Sequence, residues 1–139
     1  MKRFIIVGII SGLLFGLLDG IINANPIAMG FYEVHSPLAR ASINVPAGIV
    51  IDLAYGFILA GLFLLFYASL PGRTGLQKGI SYAVVIWFLR VVMSVLSQWM
   101  MYIIPTTALL YTLIAGLIEM LALGIFYGLM LKPAVSQGA

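Results

Sequence analysis

The sequence predicts an all-α, polytopic membrane protein: a four-helix transmembrane bundle with short loops and both termini in the cytoplasm. Three observations carry that prediction. Of 139 residues, 63% are hydrophobic and only 8% charged, with a mean hydropathy of +1.18, so too little polar surface is present to cover a soluble globule. Apolar runs long enough to span about 30 Å of hydrocarbon, which takes roughly 20 residues each, occur four times. Short segments rich in Pro, Gly and Asn separate these runs.

Helix one is expected over residues 4–22. Met1-Lys2-Arg3 before an apolar run resembles the start of a signal peptide, but the run continues to Ile22 without a small-x-small cleavage pattern. Asn23, Asn25 and Pro26 then end it, because asparagine favours turns and proline disfavours helix at the residue before it. Within this helix Gly8, Gly12, Gly16 and Gly20 recur every four residues and form a ridge without side chains, where another backbone can approach. Asp19 projects from the border of that ridge.

Residues 26–44 form the one sizeable loop, carrying Phe31, Tyr32, Glu33, His35 and Arg40. Ser36-Pro37 can cap a short interfacial helix over Leu38–Ile43. Helix two is expected over residues 46–70, from Pro46 to the Pro71-Gly72 break, with Gly48, Asp52, Gly56 and Ala60 in one row. The short glycine-rich link 71–79 should join helices two and three as an antiparallel hairpin.

Helix three is expected over residues 80–104, with Arg90 heading a polar stripe of Ser94, Ser97 and Gln98. Pro105-Thr106-Thr107 makes the next turn, and helix four covers residues 108–131, stopped by Lys132-Pro133. The transmembrane domain is therefore residues 1–133, and the small polar tail 134–139 is expected to be disordered. Phe66-Tyr67 and Phe126-Tyr127 hint at a duplicated hairpin, but superimposing them puts Thr112 opposite Asp52.

Lys2, Arg3, Arg73, Lys78 and Lys132 fall on one side of a four-span chain, against Arg40 on the other. Basic loops face the cytoplasm, so both termini are expected there and the chain in the cell inner membrane. The segment running from Asp52-Leu53-Ala54-Tyr55-Gly56 through Leu70-Pro71-Gly72 to Lys78-Gly79 resembles small uncharacterised bacterial four-helix integral membrane proteins. The resemblance covers the second half of the chain; it implies four spans and no function.

Each expected span carries one ionisable residue: Asp19, Asp52, Arg90 and Glu119. Counting along the helices puts Glu119 at the bilayer centre, Arg90 about 3 Å to its cytoplasmic side, and the aspartates roughly 8 to 9 Å to the outer side. A charge facing lipid at that depth costs several kcal/mol, so these four are the candidate binding or relay residues and should face inward, with Arg90 and Glu119 paired. Ser94, Ser97, Gln98 and Tyr55 are supporting polar groups, and Gly8, Gly12, Gly16, Gly20, Gly48 and Gly56 are the helix-packing positions.

Other chemistry finds little footing. No cysteine is present, which removes thiolate nucleophiles and cysteine-held metals. Glu33 and His35 alternate in an extended stretch, but a lone histidine in a loop reads as a solvated side chain, so no metal site and no cofactor are expected. No P-loop, dinucleotide fingerprint, HExxH or nucleophile elbow occurs, and no catalytic residue is assigned. The net charge of +3 resides at helix ends, so nucleic acid is not an expected partner. The expected partners are the lipid bilayer and further copies of the chain or a larger membrane complex. The leading expectation is an accessory or scaffold subunit whose charge network fixes helix assembly; the alternative is a small transporter or channel for protons or a small ion, and an enzyme or cofactor carrier acting on a lipid-soluble substrate ranks last.

Overall fold

The computed structural model describes residues 2–33, 37, 42 and 44–131, and within these every regular element is helical. In order they are α1 (Lys2–Asn23), α2 (Pro26–Tyr32), α3 (Val45–Phe66), α4 (Gly75–Trp87), a π turn (Phe88–Val92), α5 (Met93–Met101) and α6 (Thr106–Met130). The run α4, π turn and α5 is one continuous helix, so four helices are long and apolar enough to cross a membrane. All but Ser42 of the short helix expected over Leu38–Ile43 lies outside the described residues, as do His35, Arg40, Lys132-Pro133 and the tail 134–139.

Local capping explains where the elements begin. Asn25 Oδ1 accepts from Ala28 N at 3.0 Å with Pro26 in the first turn, so the proline expected to stop one helix instead starts the short α2. Thr74 Oγ1 accepts from Gln77 N at 3.2 Å while Gln77 Oε1 accepts from Thr74 N at 3.2 Å. This reciprocal capping box opens the third span at Gly75 rather than at the expected Ile80. Before it the chain reverses at Gly72, whose φ of +124° is open only to glycine at low cost.

Two close helix pairs form the bundle, α1 with α3 and α4 with α6. Both are built on glycine. A Cβ on Gly56 would strike the backbone of Gly8 and Gly12, and Cβ atoms on Gly75 and Gly79 would strike the carbonyl oxygens of Gly128 and Gly124. The spans joined by the 71–79 link meet instead through side chains: Tyr82 donates to the Leu59 carbonyl at 2.7 Å, and Phe63 packs edge-on to Tyr82. Bulky aromatic rings hold these two helices apart where glycines let the other pairs touch.

The core lies where the two pairs meet, around Phe15, Leu59, Phe63, Tyr82, Leu123 and Tyr127. Backbone carbonyls exposed by the glycines take second hydrogen bonds there. Gly56 O accepts from Ser11 Oγ at 3.2 Å and from Tyr127 Oη at 3.4 Å, tying α1 and α6 to α3. At the far end of the bundle the Tyr111 hydroxyl on α6 donates to the Ile22 carbonyl on α1 and accepts from Asn25 Nδ2 at 2.9 Å. Only 22% to 28% of the most apolar stretch of each of these helices is buried, so isoleucines and leucines cover the outside, an exterior compatible with a lipid solvent.

Candidate functional site

The third span positions the site through a departure from α-helical winding. Met93 N–H bonds back to the Phe88 carbonyl, five residues earlier, and Arg90 sits in the middle of this π turn. Underwinding of this kind shifts the helix face by about one residue beyond the turn. Val91 and Val95 therefore pack with Leu109 against α6, with Val91 filling the space above Gly116, while Arg90 reaches into the bundle. Trp87 anchors the same stretch, its indole N–H donating to the Leu113 carbonyl at 2.9 Å.

Arg90 is a point where all four spans meet. Its Nη1 donates to Glu119 Oε2 of α6 at 3.2 Å. Its guanidinium carbon lies 4.9 Å from the Phe15 ring of α1 and 5.0 Å from the Tyr55 ring of α3, and these two rings stack at 5.2 Å. Aromatic faces and a carboxylate thus share the compensation of one cation in a low-dielectric setting.

Beside this hub opens a cavity of about 400 Å³, lined among others by Asp19, Tyr55, Arg90, Ser94, Thr112 and Glu119. It is half-open towards the end of the bundle where α1 finishes and α6 begins. Asp19 stands at an exposed position with Oδ1 accepting from Asn23 Nδ2 at 2.7 Å. Glu119 is the inner wall. Its side chain is only 8% exposed, and among the described residues its Oε1 has no hydrogen-bond partner. A buried carboxylate oxygen without a donor is costly, and native proteins rarely leave one so without a use.

The four ionisable residues do not all line one cavity. Asp19, Arg90 and Glu119 share it, whereas Asp52 lines a separate groove along the α1/α3 pair, with Gly12, Gly16 and Gly48. Asp52 makes no hydrogen bond or ion pair with a described residue. Its position follows from the glycine crossing: α3 presents Gly56 to α1, and Asp52, one turn earlier, comes to lie over Gly16.

Of the expected polar stripe only Ser94 lines the cavity. Ser97 donates to the Met93 carbonyl at 2.9 Å on an exposed face, and Gln98 Nε2 donates to Ser94 Oγ at 3.2 Å. Neither Ser97 nor Gln98 is in the cavity lining. Among the packing positions, Gly8, Gly12, Gly16 and Gly56 lie in close contacts, while Gly20 and Gly48 face open space because the two helices diverge beyond their crossing. Residues missed from sequence are Phe15, Thr112, Gly75, Gly79, Gly124 and Gly128. The last four carry the same four-residue spacing that marks α1, and Phe15 precedes Asp19 by one turn.

No three acidic or histidine side chains cluster among the described residues in a way that could hold a metal ion, and Glu33 is exposed. Comparison with known protein families, with characterised proteins and with solved structures finds no match. The chemistry must therefore be read from the site itself: one compensated arginine, two carboxylates, and space beside them.

Proposed function

We propose that this chain is a small multi-pass transporter or channel of the cytoplasmic membrane, passing protons or a small ion by way of Asp19, Arg90 and Glu119. One observation carries the reading: the buried, half-paired Glu119 forms the inner wall of an open cavity that has a second carboxylate, Asp19, in its lining. A purely structural network can stay dry and fully paired, whereas a transport site needs access and a group whose partner can change. The basic residues of the 71–79 link and of both ends support cytoplasmic termini, which makes the open end the outer one.

A second reading, an accessory or scaffold subunit, draws support from Arg90, which contacts side chains of the other three spans. On either reading the chain works as a homo-oligomer or within a larger membrane complex. The uncovered small-residue positions Gly20 and Gly48 and the wide apolar exterior favour such association.

Purified protein in liposomes separates the two readings. The parent is expected to conduct protons or a monovalent cation above empty vesicles, with Asp19→Asn and Glu119→Gln lowering flux at least tenfold and Asp52→Asn, outside the cavity, leaving it within twofold. A parent that passes nothing above empty vesicles would reject transport and promote the scaffold.

A further inference from the structure

The cavity beside Arg90 has a charge balance and a hydrogen-bonding bias that define its ligand more narrowly than size alone. Asp19 and Glu119 carry two formal negative charges against the single positive charge of Arg90. The arginine is already compensated by Glu119 Oε2 at 3.2 Å and by the faces of Phe15 and Tyr55 at about 5 Å, so an anion entering here would compete with three groups of the protein. The acceptors are less committed. Among the described residues Glu119 Oε1 has no hydrogen-bond partner, and Asp19 accepts from Asn23 through Oδ1 alone. Thr112 spends its hydroxyl proton on the Ala108 carbonyl at 3.0 Å, so towards the cavity it offers lone pairs.

We infer that this cavity binds a small monovalent ammonium, either the ammonium ion or a short primary amine, with Glu119 Oε1 as the inner acceptor and Asp19 as the outer one. A net deficit of one positive charge is met by one such cation, and its several N–H donors match the acceptors on α1 and α6. The Tyr55 ring adds an apolar wall. A volume of about 400 Å³ falls within the range of small-molecule sites and leaves room for a short alkyl group. The inference rests on the transport reading for its biological sense, but as a statement about binding it can fail or hold alone.

The test is calorimetric titration of methylammonium chloride into the full chain in lipid nanodiscs, at an ionic strength held constant with sodium chloride. Saturable binding is expected, weakened at least tenfold by Glu119→Gln and at least threefold by Asp19→Asn, with sodium acetate giving no saturable heat. Because Glu119→Gln removes the partner of Arg90 and can loosen the bundle, the exposed Asp19→Asn keeps the test decisive. Absence of saturable methylammonium binding, acetate binding in its place, or methylammonium binding indifferent to both substitutions overturns the inference. Proton flux in liposomes without amine binding overturns it while sparing the transport reading; amine binding without any flux sustains it and rejects transport.

Discussion

Gly79 and Gly124 touch backbone to backbone: a Cβ built on either would collide with the carbonyl oxygen of the other. In a lipid solvent no hydrophobic force draws helices together, so contact of this kind, with its dispersion energy, carries much of the association. The same relation links Gly56 to Gly8 and Gly12 in the other helix pair. Both crossings are rigid because the colliding atoms belong to main chain.

Alanine at Gly79, Gly124 or Gly56 is therefore expected to cost about 1–3 kcal/mol in detergent unfolding, the usual range for overpacking. Alanine at Gly20 or Gly48, where nothing lies within 4 Å, should be neutral or stabilising by up to about 1 kcal/mol through helix propensity. Equal losses at all five positions would show that the helices pack in another register.

Arg90 and Glu119 should behave as a coupled pair. Removing either strands the other, so Arg90→Ala and Glu119→Ala are each expected to destabilise by more than their share of the double variant, with a coupling of about 1–3 kcal/mol. The arginine side chain is 32% exposed, which favours the lower half of that range. Additive losses in the same unfolding assay would assign the two groups to different partners.

Thr74 and Gln77 close the start of the third span. Thr74→Ala removes the side-chain acceptor of the Gln77 N–H and should cost about 1 kcal/mol, and adding Gln77→Ala should cost more, because Gln77 Oε1 accepts from the backbone N–H groups of Arg73 at 2.8 Å and Thr74 at 3.2 Å, which Thr74→Ala leaves in place. A double variant no less stable than Thr74→Ala alone would mean that the Gln77 side chain does not cap this helix.

Orientation can be read by labelling, since the parent has no cysteine. Single cysteines at Ser69, in the link after α3, and Thr107, in the first turn of α6, both exposed and at opposite ends of the bundle, are expected to react from opposite sides of the membrane, Ser69 from the cytoplasm. Reaction of both from one side would exclude four spans crossing the bilayer.

Composition and spacing alone determined that this chain has four apolar helices, and roughly where each lies. The reason is that a bilayer constrains length and polarity residue by residue: a span must be long and apolar whatever it packs against. The match of one arginine to one glutamate at similar depth was also legible, because any other choice leaves a charge in hydrocarbon. What the helices do to one another was decided only in three dimensions. The α4/α6 crossing needs Gly75 and Gly79 opposite Gly128 and Gly124, a coincidence of two distant segments that no local spacing contains. The π turn at Arg90 has no residue signature, and of the polar stripe that follows it only Ser94 lines the cavity. Asp52, indistinguishable from Asp19 by depth, went to another groove because the Gly56 crossing fixes how α3 is rotated, and helix rotation is a property of contacts rather than of composition.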